Sequence, residues 1–107
     1  MAADIDISSR PWLQFYEPGV PYTLEYPPIA VPELLDQSAA RFPDHPATMF
    51  FGARLTYRTL KELSDRFAAA LVRLGIRPGD RVSMHLPNCP QFLIAYYGIL
   101  KAGGIAV

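Results

Sequence analysis

Few side chains in this chain are of a type that does acid–base or covalent chemistry. His85 stands in the strand-like run RVSMHL, His45 in the polar turn PDHP, and Cys89 where a helix is expected to begin. A histidine titrates near neutrality and serves as a general base when a carboxylate orients it. No such partner is suggested for His85, so a histidine hydrogen-bonded within a sheet is the expected role, while His45 is expected to be solvated. The dipole at a helix start could lower the Cys89 thiol pKa; the plainer reading is a small residue at that position. Asp80 and Arg81 are adjacent, but Asp80 is placed to finish a turn. Tyr96 and Tyr97, beside Gly98, could line a tunnel for an apolar substrate; packing of a helix on a sheet is the simpler role. Gly103-Gly104 is not a phosphate loop, because neither a lysine-serine pair nor a helix follows it. No catalytic, cofactor-binding or metal-binding residue is therefore assigned within the chain.

Composition narrows the partners. Half of the 107 residues are apolar and 12% are aromatic, ample for a core and against intrinsic disorder. Lys plus Arg (10) balance Asp plus Glu (10), so the net charge is zero and gives no electrostatic reason to expect DNA, RNA or an anionic membrane as partner. Arg66, Arg73, Arg77 and Arg81 are spread over different elements and read as solvated surface. One cysteine allows no intrachain disulfide and no cysteine metal site, and fits a reducing, cytoplasmic setting. The opening MAADIDISSR has no apolar run behind a basic head and is not expected to be a secretory signal. The most apolar stretch, Phe92 to Val107, is too short and too broken by Lys101 and its glycines to be expected to span a membrane.

The positioning elements follow from pattern. Residues 1–32 read as an irregular arm: its prolines forbid long regular elements, and Trp12, Phe15, Tyr16, Tyr22 and Tyr26 are expected to lie on a larger body and bury there. Residues 33–42 read as a short helix with Leu34, Leu35, Ser38, Ala39 and Phe42 on one face, opened by Pro32 and stopped by Pro43. Residues 47–57 read as a hairpin turning at Gly52-Ala53. The clearest helix is 60–74, with Leu60, Leu63, Phe67, Leu71 and Leu74 at helical spacing, Thr59 and Glu62 as a capping box and Gly75 as its stop. Arg77-Pro78-Gly79-Asp80 suits a type II turn. The strand RVSMHL, a helix from Pro90 to Ala102 and a strand beginning near Ile105 make a βαβ unit, which implies parallel neighbours. The fold class is α/β. A parallel sheet needs cover on both faces, and the chain ends within an apolar run, so an incomplete fold is expected.

From residue 45 onward the order LTYRTLKEL, LGIRPGDRVSMHLPN, then CPQFLIAYYGILKAGGIAV resembles the amino-terminal region of adenylate-forming enzymes (acyl-CoA synthetases, luciferases and peptide-synthetase adenylation domains), and the match covers residues 32–107. It is the combination of LTY, GDRV, LPN and GILKAGG that is specific. The leader RPWLQFYEPGVPYTL is similar to that of medium- and long-chain fatty-acid–CoA ligases, and luciferases and peptide-synthetase modules generally lack it. The resemblance implies that residues 33–107 are an incomplete amino-terminal portion of an AMP-dependent synthetase/ligase domain, carrying the start of a mainly parallel sheet, with 1–32 as its arm.

The resemblance further implies a parent enzyme using ATP, Mg²⁺ and coenzyme A. A carboxylate, a fatty acid by the leader, attacks the α-phosphate of ATP, and the thiol of coenzyme A then displaces AMP. The family's Ser/Thr/Gly-rich phosphate loop with its lysine, its adenine motif, ribose-binding aspartate and carboxy-terminal lysine have no counterpart in these residues. The chain alone is therefore expected to be inactive. The resemblance leaves room for peripheral membrane contact by the parent. Two other readings stand beside it: a ligase for aryl or short-chain acids, and a non-catalytic interaction module that binds a partner at an unfinished sheet edge.

Overall fold

The structure, a computed structural model, describes residues 10–107. The start of the arm, and with it the reading of the first nine residues as no signal, lies outside the described residues.

The arm holds one regular piece, a 3-10 helix at Pro11–Phe15. Trp12, Phe15, Tyr16, Tyr22 and Tyr26 are all exposed. Burial of these rings against a body is thus not realised within this chain. The arm's described backbone bonds stay local, as in Leu13 N–H to Arg10 O and Val20 N–H to Glu17 O.

Helix α1 spans Val31–Arg41, with Pro32 in its first turn. Glu33 Oε1 accepts from the Ala30 N–H at 3.3 Å, so the acidic half of a capping box is present. Only Leu35 and Ala39 are buried; Leu34 and Phe42, expected on the same face, are exposed. Strands β1 (Pro46–Phe50) and β2 (Ala53–Thr56) form the hairpin. Its turn is Phe51-Gly52, one residue earlier than Gly52-Ala53, because Phe50 pairs with Ala53. Both turn residues have positive φ, +47° and +81°, the handedness that matches the twist of the flanking strands.

Helix α2 spans Tyr57–Arg73 and is capped by Thr56, whose Oγ1 accepts from the Thr59 N–H at 3.2 Å. The expected Thr59–Glu62 box is not the cap. The helix starts three residues earlier than expected, and Leu60, in its first turn, is 3% exposed. Gly75, at φ +98°, ends the helix as expected. Gly79, at φ +90°, and the Asp80 N–H to Arg77 O bond complete the type II turn, and Asp80 Oδ2 accepts from the Arg77 N–H at 2.7 Å.

Strand β3 is Arg81–Val82, helix α3 is Pro90–Lys101 and strand β4 is Ile105–Ala106. β3 and β4 are parallel, with Arg81 opposite Ile105 and Val82 opposite Ala106. This is the expected βαβ unit. The strand expected over RVSMHL is shorter: pairing ends where the Met84 N–H donates to Val107 O, and Ser83, His85 and Leu86 are exposed.

The core lies between α2, α3 and one face of β3–β4. Ala68, Leu71, Ile99 and Ala102 form it, with Phe67, Ile76, Val82, Met84 and Ala106 packed alongside. The helices approach closely because the contact residues are small. A Cβ on Gly98 would stand 2.7 Å from Phe67 Cδ1 and 3.0 Å from the Ser64 carbonyl oxygen. Ser64 is fully buried and its hydroxyl has no protein partner. On the other face of the sheet Ile105 and Val107 are exposed. Among the described residues, no helix is long and apolar enough to cross a membrane.

Candidate functional site

The residues named for chemistry do not converge. His85 is exposed, outside the paired strand, and its Nε2 lies 3.0 Å from Ser83 Oγ. It is therefore not a histidine hydrogen-bonded within a sheet, and among the described residues no carboxylate orients it. His45 is exposed and stacks on Phe42 at 5.3 Å between centroids. Tyr96 stacks on Phe92 at 6.3 Å, and burial raises the Tyr97 phenol pKa, with Tyr96 and Tyr57 adding to the effect. Tyr96 thus contacts rings of its own helix, while Tyr97 stands beside Leu34, Leu35 and Leu60 of the neighbouring helices. Arg66, Arg73, Arg77 and Arg81 are exposed.

Cys89 is the residue before the first turn of α3, in extended backbone, with no side-chain cap bond. It borders a groove of about 420 Å³ between the hairpin and α3, lined by Thr48, Met49, Phe50, Asn88, Phe92 and Leu93 among others. Thr48 Oγ1 is buried there without a protein partner. The groove is apolar and lacks any cation. It suits an apolar group and has nothing to hold a phosphate.

The glycine pair near the chain's end is committed to the fold. The Gly103 N–H donates to Leu100 O and the Gly104 N–H to Ile99 O. Gly103 O in turn accepts from the Gly79 N–H at 2.9 Å. Gly103, at φ +80°, sits so close to Pro78 that a Cβ would stand 3.2 Å from Pro78 Cα. These N–H groups have no freedom to cradle an anion.

The densest polar constellation escaped sequence reasoning. Lys101 Nζ, on a side chain only 12% exposed, lies 2.6 Å from Asp36 Oδ1 and 2.5 Å from Asp65 Oδ1. Lys61 Nζ lies 2.5 Å from Asp65 Oδ2 and 3.8 Å from Asp36 Oδ1. One carboxylate comes from α1, one from α2, and the lysines from α2 and α3. Burial works against the Asp65 charge, yet Lys101 and Lys61 outweigh it and hold its carboxyl below the ordinary value. For Lys61 the Asp65 hydrogen bond outweighs the opposing burial, and its pKa is raised. Lys61 and Asp65 are four apart, a visible helical pair. Nothing in sequence links Asp36 to Lys101. The cluster ties three helices together and presents no free acid or base.

Comparison with known proteins follows the same order of elements. The family model described as "AMP-binding enzyme" matches residues 35–107. The long-chain-fatty-acid–CoA ligase of Bacillus subtilis (strain 168) is 45% identical over 100 residues, covering 94% of this chain and 18% of that protein. The salicyl-AMP ligase/salicyl-S-ArCP synthetase of Mycobacterium tuberculosis is 46% identical over 79 residues, covering 69% of this chain and 14% of that one. The apo structure of Mycobacterium smegmatis MbtA superimposes with a TM-score of 0.72 at 41% identity, over 76% of this chain and 15% of that one. The chain thus spans less than a fifth of the length of these relatives.

Proposed function

This chain belongs to the family of AMP-binding enzymes, and on that premise we propose that it is the amino-terminal part of a ligase that activates a fatty acid as its adenylate and transfers it to coenzyme A. The observation that carries the fatty-acid reading is the reach of the likeness. The Bacillus fatty-acid ligase aligns over 94% of the chain, arm included, whereas the salicyl ligase aligns over 69%. In this reading residues 33–107 open the synthetase/ligase domain, residues 1–32 are its arm, and the parent is cytoplasmic.

The chemistry is a substitution at phosphorus followed by one at carbon. A carboxylate oxygen attacks the α-phosphate of ATP and pyrophosphate leaves; the coenzyme A thiol then attacks the acyl carbonyl and AMP leaves. Such steps need Mg²⁺, cationic side chains and backbone N–H groups aimed at the phosphates. The residues described here do not fit that task. Among them no group of three or more His, Cys, Asp or Glu side chains is arranged to hold a metal ion. The glycine N–H groups at 103 and 104 are spent, and Lys101 is held by two aspartates. No step is assigned to them. Their part is to build the first parallel strand pair and the helices that cover it.

Acid-dependent exchange of pyrophosphate into ATP tests the reading. The 107-residue chain should show none. The full-length parent should show it with an acid and Mg-ATP, and coenzyme A should then release AMP and a thioester. Across acids from acetate to palmitate, specificity should climb with length, since each methylene buried in an apolar tunnel contributes ~0.8 kcal/mol. A parent preferring benzoate or salicylate would replace the fatty-acid reading with the aryl one, which the 46% identity to the salicyl ligase favours. A parent inert towards every acid would overturn the ligase and leave the interaction module.

A further inference from the structure

Helix α1 is held in an unusual way. Among its residues only Leu35 and Ala39 are buried, while Val31, Leu34 and the following Phe42 are exposed. Among the described residues, Asp36 is the one α1 side chain that makes a polar contact with α2 or α3, reaching Lys101 at 2.6 Å and Lys61 at 3.8 Å. Glu33 and Ser38 bond only within their own segment, to Ala30 and Leu34.

The attachment changes abruptly after α1. The Arg58 N–H donates to Pro43 O at 3.0 Å and the Tyr57 N–H to His45 O at 3.1 Å. Arg58 also bonds Asp44. From Pro43 onward the chain is therefore tied to the start of α2 through its backbone. Ahead of α1, the described backbone bonds of the arm reach no other element. Between the two regimes stands Phe42, which has left the helix at φ −136°, ψ 54°.

We propose that residues 10–41 form one strap, hinged at Phe42-Pro43 and held shut on α2 and α3 by Leu35 and the Asp36–Lys101 pair. The composition of the charge cluster lowers the cost of opening. Orphaning a buried cation is strongly unfavourable, but Lys101 has a second carboxylate, Asp65, on α2. Asp65 stays with the body when Asp36 leaves. Opening therefore breaks the Asp36 pairs with Lys101 and Lys61 without leaving either lysine unpaired, because Asp65 holds both, and widens the cavity that Leu34 and Leu35 border together with Leu60, Leu93 and Tyr97. A change at Asp36 becomes a displacement of the five aromatic rings on the arm.

Hydrogen exchange with mass spectrometry on the full-length protein tests this. In the wild type, amides of 31–41 should exchange faster than those of 60–71 and 90–101, because the strap opens without unfolding the body. Asp36→Asn should accelerate the 31–41 amides by about two- to fivefold, the loss expected for an ion pair whose carboxylate is 44% exposed, and leave the other two sets unchanged within error. Asp65→Asn, which spares the latch, should accelerate the 31–41 amides less than Asp36→Asn does. Equal protection of all three helices in the wild type would overturn the strap. So would uniform acceleration or failure to fold in Asp36→Asn, or no change at 31–41.

Discussion

Between Trp12 and Tyr26 the arm carries five aromatic rings, and every one is exposed; α2 and α3 bury Leu60, Leu71 and Ile99 among the small residues Ser64, Ala68, Ala95 and Gly98. The size of an apolar side chain is thus no guide by itself to where this chain's stability resides. Rings give large burial only where another surface meets them. Ala68, Ala95, Gly98 and Ala102 let two backbones come close enough for Ile99 and Leu71 to be enclosed. The core was made by what the helices lack at their contact, and the arm stays open for want of a facing surface within this chain.

Substitutions in the full-length protein, followed by urea unfolding, can break or sharpen that contrast. The largest gap should separate Ile99→Ala from Phe15→Ala. Ile99 is fully enclosed, and its truncation should cost about 2–5 kcal/mol. Phe15 is 80% exposed and should change stability by less than ~0.5 kcal/mol if nothing else in the parent covers it. A large cost at Phe15 would show that the arm is buried by the remainder of the protein.

Next in size is Gly98→Ala. The added methyl meets Phe67 and the Ser64 carbonyl, which is backbone and cannot swing aside. Overpacking of this kind should cost about 1–3 kcal/mol. An unchanged midpoint would mean that the helices part freely, and the close approach would lose its explanatory role.

A smaller loss, about 0.5–2 kcal/mol, should follow Thr56→Ala, which removes the acceptor for the Thr59 N–H. Thr59→Ala keeps that donor and should cost less. The reverse order would restore the Thr59 cap.

This cap shows where sequence reading succeeded and where it stopped. Helix α2, its glycine stop, the type II turn and the parallel strand pair were legible because each rests on a local signal. The start of α2 was not, because the spacing of Thr59 and Glu62 matched a capping box, whereas the helix starts three residues earlier on Thr56. The hairpin turn slipped by one residue for a similar reason: Phe51 is an improbable occupant of a left-handed position, and cross-strand pairing overrode that preference. The face of α2 was read from Leu60, Leu63, Phe67, Leu71 and Leu74; Leu60 and Leu71 are buried, yet Leu74 is 82% exposed while Ser64 is enclosed. Hydrophobic spacing cannot report close packing of small residues. The charge cluster was invisible because Asp36 and Lys101 are brought together only by the fold.

The smallest expected effect is electrostatic. Asp65 has a native pKa below its ordinary 3.8. Its contribution is complete above that value and is lost as the pH falls through the depressed native one. Because the side chain is 41% exposed, solvent screens the pair and the loss should be modest. Stability against pH, compared between wild type and Asp65→Asn, should differ at neutral pH and converge in acid. Curves that stay parallel would remove the role of this carboxylate.

The pairing of β3 with β4 bears on the order in which the chain assembles. The hairpin closes across two residues, and such closures take about 1–10 μs. By Ala102 every residue of the α2–α3 interface has been synthesised, so that pair can form during translation. The parallel ladder must wait for Ile105 to Val107 and for the whole of α3 to be folded back between its strands. Closing that longer loop has an entropic cost that a two-residue ladder repays poorly. The helices should therefore act as the template on which the sheet is laid, with β4 the last described element to lock.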